Sequence, residues 1–310
     1  MTKIAYIFPG QGSQAAGMGK DLFDNYEAAK DVFRIADGAL GFSLSEICFS
    51  GNEADLQLTA NTQPAILTVS IAAYRAMLSE GMPVPTMAAG HSLGEYSALV
   101  AAGVIDLADA VRLVRKRGEY MQAAVPVGVG SMAAIIGSDP ETVASVCQEA
   151  AAGAVCSPAN INSPSQIVIA GNSEAVERAC AILKERGAKR AIRLNVSAPF
   201  HCELMRPAEE RLAEDLARIG YGSFRFPVVH NVTAEPNTDA SLVCGLLTRQ
   251  VTSPVRWLES VRRLVAEGVT KFIEVGPGKV LSGLVRQTER DADIFNVEDS
   301  TGIRKSLETI

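Results

Sequence analysis

Residues 86–90 form a short apolar run that leads directly into Gly90-His91-Ser92-Leu93-Gly94, and helical patterning runs on from about 94 to 103. A strand that becomes a helix through Gly-x-Ser-x-Gly leaves the chain few options. The turn is sharp enough for backbone to pass close to backbone, and a side chain at Gly90 or Gly94 would collide there. It lifts the serine hydroxyl clear of the sheet. It also aims the amide of Leu93 at the point where an oxyanion would form, with the positive end of the new helix behind it.

The remainder of the chain carries the matching pattern. Residues 3–8 read as a buried strand, followed by a glycine-rich turn (Gly10, Gly12, Gly17, Gly19) and helices through the twenties and thirties. The stretch 60–80 reads as a long helix with Asn61 or Thr62 as its cap and Pro64 in its first turn. A helix over 107–124 follows, and Pro126, Gly128 and Gly130 then break the chain. The order changes after that break. A strand at 132–137, a helix at 140–152, strands at 155–162 and 166–170, a helix at 173–186 and a strand at 189–196 give β-α-β-β-α-β, the ferredoxin-like order. Helices at 207–219, 239–250, 257–266 and 278–286, with strands at 228–231, 271–275 and 294–297, resume the alternation. Alternating strands and helices imply an α/β fold with a mainly parallel sheet covered on both faces. The expected organisation is a large α/β domain, 1–125 and 199–310, with a small subdomain, 126–198, set into it.

Composition removes several function classes. The formal net charge of −6 argues against a nucleic-acid-binding domain, whose footprint is basic. Glu95, Asp106 and Asp109 interrupt the best apolar run before it approaches the ~18 residues of a membrane span. The first residues lack the apolar core and cleavage site of a signal peptide, so the expected compartment is the cytoplasm, with no membrane contact. None of the six cysteines forms a C-x-x-C pair, which suits buried small hydrophobes, and Cys202 is expected to be inert although it adjoins His201. The three histidines have neither H-E-x-x-H nor zinc spacing, so no metal site is expected.

Gly10-Gln11-Gly12-Ser13-Gln14-Ala15 matches a relaxed dinucleotide fingerprint after a strand. The second strand with a terminal acid expected ~20 residues on is replaced by helical patterning. The loop reads better as one that presents backbone amides to an anion or oxyanion.

A serine nucleophile needs a base, because its free hydroxyl is very weak. His91 lies inside the turn and should face away from Ser92, and His230 sits at a predicted strand end. His201, in Ser197-Ala198-Pro199-Phe200-His201, ends the insert in a loop that can face a cleft between the two domains. Arg112, Arg115, Lys116 and Arg117 form a basic run on one helix, and position alone does not single out Arg117.

Phe8-Pro9-Gly10-Gln11-Gly12-Ser13-Gln14, Gly90-His91-Ser92-Leu93-Gly94-Glu95-Tyr96, Pro199-Phe200-His201 and Glu274-Val275-Gly276-Pro277-Gly278 together resemble the signature set of malonyl-CoA:acyl carrier protein transacylases of bacterial type II fatty acid synthesis. The resemblance covers essentially the whole chain. It implies an α/β-hydrolase-like large domain, a ferredoxin-like α+β insert and an active site between them. It implies Ser92 as the nucleophile that becomes malonylated and His201 as the base and later the acid. It further implies an oxyanion hole from the Gln11 and Leu93 amides, and Arg117 on the malonyl carboxylate. The backbone carbonyl of Gln250 would orient His201, and Gln63 would line the pocket. Phe200 resembles the residue that selects malonyl over branched extenders.

The implied reaction is ping-pong transfer of malonyl from malonyl-CoA to the phosphopantetheine thiol of acyl carrier protein, with no resident cofactor and with the enzyme a monomer. Lys184, Arg186, Lys189, Arg190 and Arg193 are the expected contacts for an acidic carrier or for CoA phosphates. A serine esterase or thioesterase, an acyltransferase for another extender unit, and a non-catalytic binding module are the alternatives. The last of these would be expected to lack Ser92, His201 or Arg117.

Overall fold

A computed structural model describes residues 2–196 and 198–309 of the chain, so Ser197 of the loop before His201 lies outside the described residues. Strands β1 (Lys3–Phe8), β2 (Met87–Gly90), β7 (Val228–Val229), β8 (Pro236–Asn237), β9 (Val269–Val275) and β10 (Asp293–Val297) form one sheet. Its order is β10-β9-β1-β2-β7-β8, parallel throughout except for the terminal β7–β8 pair. Strands β3 (Gly130–Ile136), β4 (Cys156–Ser163), β5 (Gln166–Asn172) and β6 (Arg190–Arg193) form a second, fully antiparallel sheet in the order β4-β5-β3-β6.

The period-2 alternation of a strand sends its side chains to two different cores. Ile4, Tyr6 and Phe8 of β1 point into the main cluster, against the Thr59–Ser79 helix. Ala5 and Ile7 point the other way, into a cluster with Trp257, Phe272 and Val285. The small sheet behaves alike. Ala133, Ile135, Ile167 and Ile169 pack under the Pro140–Ala151 and Ser173–Glu185 helices. Met132, Ala134, Val168 and Ala170 join the main cluster. The second sheet is therefore bound to the first by apolar burial. Its β4 strand also bonds by backbone to the segment before the Trp257–Ala266 helix: Ile161 donates to the Val255 carbonyl at 2.9 Å, and Val255 donates to the Ala159 carbonyl at 2.9 Å.

Several sequence expectations shift in detail, among them the strand at 228–231, which is only Val228–Val229, and the strand at 189–196, which is Arg190–Arg193. The long helix starts at Thr59 rather than at 60, and neither Asn61 nor Thr62 caps it. The Thr62 hydroxyl instead donates to the Leu56 carbonyl at 2.6 Å, and Asn61 donates to Asp55 at 2.8 Å, so both fasten the helix to the segment before it. Pro64 then falls inside the helix, where it removes an amide. The Ala60 carbonyl that this frees accepts Arg115 at 3.2 Å. The stretch read as one helix at 239–250 is a 3-10 turn, Ala240–Leu242, followed by an α-helix, Val243–Gln250. The short helices Leu44–Ser50, Glu53–Gln57 and Ser300–Leu307 were not expected, because one or two turns give too few apolar repeats to register as a period.

Gly118 decides how closely two helices meet. A methyl there would stand 2.7 Å from the Thr59 carbonyl oxygen and 2.8 Å from the Ala60 Cα. The bare glycine lets the Leu107–Ala123 helix lie against the start of the Thr59–Ser79 helix, which brings Arg117 beside Gln63. Gly118→Ala should therefore destabilise the protein by about 1–3 kcal/mol through overpacking. Gly38→Ala, on an exposed helix surface where a methyl meets nothing within 4 Å, should stabilise it by about 0.5–1 kcal/mol. Urea denaturation of the two variants should show midpoints that move in opposite directions.

Candidate active site

The turn around Ser92 is built by steric exclusion. A Cβ on Gly90 would fall 1.9 Å from the Gly94 carbonyl, and one on Gly94 would fall 2.0 Å from the Phe8 oxygen. A Cβ on Gly10 would fall 2.4 Å from the His91 oxygen, so the loop leaving β1 rides directly on the turn leaving β2. Ser92 sits at φ 52°, ψ −103°, a conformation that costs a non-glycine residue about 1–3 kcal/mol.

His201 is also left-handed, at φ 59°, at the end of the loop that returns from the small sheet. Its Nε2 lies 2.7 Å from the Ser92 hydroxyl, and its Nδ1 lies 2.9 Å from the Gln250 carbonyl oxygen. A carbonyl only accepts, so Nδ1–H donates to it and Nε2 is left to accept from the serine. The imidazole is 3% exposed. Burial first, and the Arg117 charge second, push its pKa down to about 3, so it is a neutral base across the physiological range.

Arg117 is buried, and its fork reaches three neutral oxygens: Gln63 Oε1 at 2.8 Å, Gln250 Oε1 at 2.9 Å and the Ser92 hydroxyl at 3.1 Å. Its guanidinium also lies 5.4 Å from the Tyr96 ring centre. Burial pulls its pKa down, and Tyr96 and Glu95 oppose that. The three other cations of the run behave differently. Arg112, Arg115 and Lys116 each pair with an acid, Asp109, Glu119 and Asp215, on more open faces. Among the described residues no carboxylate pairs with Arg117, and its Nε has no hydrogen-bond partner. A buried cation held by amides and a hydroxyl, next to a paired serine and histidine, is suited to a substrate that brings its own carboxylate.

The structure brings Ser92, His201, Arg117, Gln63 and Gln250 into one hydrogen-bonded cluster. Gln11 stays exposed on the adjoining loop, where its side-chain amide reaches Thr59 at 3.4 Å. Among the described residues, neither the Gln11 nor the Leu93 backbone amide donates to a protein acceptor. Cys202 is buried and donates to the Pro199 carbonyl at 3.1 Å, and burial pushes its thiol up to about 12. His91 turns away from Ser92 toward Asn162, 2.8 Å from its Nε2. Of the basic residues on the insert, Arg186 pairs with Glu149, and Lys184, Lys189, Arg190 and Arg193 are exposed.

Sequence reasoning missed a second layer. Glu95, His230, Asn231 and the side chain of Gln250 form a buried polar network directly beneath the turn. One signal was present: Glu95 is a carboxylate in an otherwise apolar segment three residues after Ser92. From sequence alone it reads as a break in a membrane span and as part of the motif at 90–96, with no partner assigned. No helix among the described residues is long and apolar enough to cross a membrane, and none of their His, Cys, Asp and Glu side chains form a group that could hold a metal ion.

Comparison with known proteins gives the same direction. The family model for the acyl transferase domain matches residues 5–308. The malonyl CoA-acyl carrier protein transacylase of Escherichia coli (strain K12) is 52% identical over 287 residues, covering 93% of each chain. That of Bacillus subtilis (strain 168) is 49% identical over 311 residues, covering 100% of this chain and 98% of the relative. The solved transacylase from Coxiella burnetii superimposes with a TM-score of 0.97 at 43% identity, covering 99% of this chain and 97% of that one. A malonyl-transacylase solved in complex with a type II PKS acyl-carrier protein gives 0.97 at 45% identity and covers 100% of both. The chain therefore belongs to the acyl transferase domain family, as an acyltransferase of the malonyl CoA-acyl carrier protein transacylase group.

Proposed function

We propose that this enzyme moves a malonyl group from malonyl-CoA to the phosphopantetheine thiol of an acyl carrier protein through a malonyl ester on Ser92. The observation that carries the reading is Arg117: a buried guanidinium with neutral partners, 3.1 Å from the serine oxygen. Its planar fork can take the free carboxylate of a malonyl group in two parallel charge-assisted bonds. The relatives' names supply the donor and the acceptor.

The steps balance. As Ser92 Oγ attacks the thioester carbon, His201 Nε2 takes its proton. The tetrahedral oxyanion is held by the Gln11 and Leu93 amides. Collapse breaks the C–S bond, and the departing CoA thiolate takes the proton from His201. The carrier thiol then gives its proton to His201 and attacks the ester, and the serine oxygen leaves and recovers that proton. Arg117 acts twice in this scheme. Its charge is one of the causes that hold the His201 pKa down, which makes the imidazolium costly. A malonyl carboxylate on the guanidinium offsets that charge and so eases proton uptake, whereas an acetyl group leaves the cation unpaired and the cost in place. The bulky Phe200, 9% exposed and next to His201, is proposed to crowd a branched extender.

The order β6-β3-β5-β4, strands four, one, three and two of the insert, supports a ferredoxin-like subdomain over 126–198. The strand-turn-helix around Ser92 on a mainly parallel sheet supports a hydrolase-like large domain, 1–125 and 199–310. A cytoplasmic monomer without a resident cofactor completes the reading, with the exposed Lys189, Arg190 and Arg193 as contacts for the acidic carrier.

Intact-protein mass spectrometry after brief exposure to malonyl-CoA tests the intermediate. Wild type should gain one malonyl group, Ser92→Ala should gain none, and added holo carrier protein should discharge the adduct. Free malonate without a thiol acceptor would instead mark a hydrolase. A second expectation concerns pH. Because the His201 pKa is lowered, the base form persists as pH falls, so activity that needs it is lost only well below an ordinary histidine's ~6.5. The rate of Ser92 labelling by an uncharged fluorophosphonate should stay flat from pH 7.5 down to about 5. A half-fall near 6.5 would mean that His201 is not held neutral.

A further inference from the structure

The side chain of Asn231 grips both ends of the nucleophile turn. Its Oδ1 accepts the Ser92 amide at 2.7 Å, and its Nδ2 donates to the Gly90 carbonyl at 2.7 Å. The residue is fully buried, just beyond β7, the strand paired to β2. Its own backbone amide is held by Glu95 Oε2 at 2.9 Å, and the other oxygen of Glu95 meets His230 Nδ1 at 2.5 Å. Glu95 is the third residue of the helix that Ser92 opens. The ring is closed: the turn leads into the helix, the helix supplies Glu95, Glu95 fixes Asn231, and Asn231 returns to the turn. Gln250 ties in from the side, donating to Glu95 at 2.8 Å and to the Ser92 carbonyl at 3.0 Å.

We infer that Asn231 is a positioning residue: its amide holds Ser92 in its left-handed conformation and so sets the directions of the Ser92 hydroxyl and the Leu93 amide. Left to itself, a non-glycine residue at φ 52° relaxes toward negative φ. Rotation of the Ser92–Leu93 peptide would turn the Leu93 N–H away from a forming oxyanion, and rotation about φ would swing the hydroxyl off His201 Nε2. The two bonds from Asn231 oppose the second movement, because they fix the Ser92 amide and the Gly90 carbonyl before it; the first is opposed by Gln250, which donates to the Ser92 carbonyl at 3.0 Å and to Asn231 Oδ1 at 3.4 Å. Among the described residues Asn231 makes no direct hydrogen bond to Arg117, whose fork reaches Gln63, Ser92 and Gln250; the Gln250 side chain stands between them, accepting from Arg117 at 2.9 Å and donating to Asn231 Oδ1 at 3.4 Å, so loss of the Asn231 amide leaves the Arg117 partners in place.

The inference rests on Ser92 as nucleophile, and the experiment separates the two. Rate constants for Ser92 labelling by an uncharged fluorophosphonate are measured for wild type, Asn231→Ala and Asn231→Asp, and the final stoichiometry counts competent sites. Failure of the wild type to label at Ser92 would sink the nucleophile reading itself. With wild type labelling, Asn231→Ala should reach the same stoichiometry per folded chain but about 10²-fold more slowly, the scale of a small misplacement at a reacting centre. Its KM for malonyl-CoA should stay within about threefold while kcat falls in parallel with labelling.

Asn231→Asp keeps the fold testable if the alanine variant does not accumulate. A protonated carboxyl can accept from Ser92 N–H and donate to the Gly90 carbonyl, as the amide does, and an ionised one cannot donate. Glu95 and His230 are the titratable groups of the network, and Arg117 joins it through Gln250. Burial beside the Glu95 carboxylate favours the protonated form of the introduced group. Asn231→Asp should therefore label nearly as fast as wild type at low pH and lose rate as pH rises, with unchanged circular dichroism. Equal labelling rates per competent site in wild type and Asn231→Ala, or a flat profile for a folded Asn231→Asp, would overturn the inference.

Discussion

A guanidinium sunk into the core with no carboxylate among the described residues paired to it is an expensive thing to hold, and much of the site is arranged around holding Arg117. Gly118, the next residue, lets its helix press against the Thr59–Ser79 helix, which supplies Gln63. Gln250 brings an amide oxygen from the far side. The nucleophile turn brings the Ser92 hydroxyl. Three separate parts of the chain thus converge on one cation, and the partners they offer are neutral. The guanidinium is solvated well enough to stay charged but is left with charge to satisfy, which is the basis of the selectivity proposed for an acyl group ending in an anion.

Gln250 links that selection to catalysis. Its backbone carbonyl orients His201 through Nδ1, while its side chain touches Arg117, Glu95 and the Ser92 carbonyl. One residue therefore contacts the proposed base, the cation proposed to bind the carboxylate and the support of the proposed nucleophile. The low pKa of His201 fits the same arrangement, since the nearby cation opposes a second positive charge until an anion arrives. The strain at Ser92 and His201, both with positive φ, is located where the serine hydroxyl meets the imidazole.

Much of this was legible in the sequence, because it depends on local patterns. The alternation of strand and helix, the break at 126–130 and the order of the insert all come from periodicity and punctuation, and the sheets follow them. The turn at 90–94 was legible because two glycines are needed where backbone meets backbone. Arg117 was not distinguishable from Arg112, Arg115 and Lys116 by position, since what separates them is that three find acids and one does not. The network of Glu95, His230 and Asn231 left one trace in the sequence, the Glu95 carboxylate in an apolar segment, and its partners were not legible. It joins residues about 135 positions apart, and no local period marks a polar residue whose partner arrives from another strand. The cap of the helix at 59 was misread for a related reason: Asn61 and Thr62, the expected caps, lie inside the helix and bond back to the preceding segment.

The most direct measurement is the ratio of kcat/KM for malonyl-CoA to that for acetyl-CoA, in wild type and in Arg117→Ala, with holo carrier protein as acceptor. If the unpaired buried guanidinium selects the acyl group, the ratio should collapse by at least 10²-fold in the variant, with acetyl transfer rising as malonyl transfer falls. A ratio that stays where the wild type has it, with both rates lowered together, would mean that Arg117 serves the fold and that selection resides elsewhere.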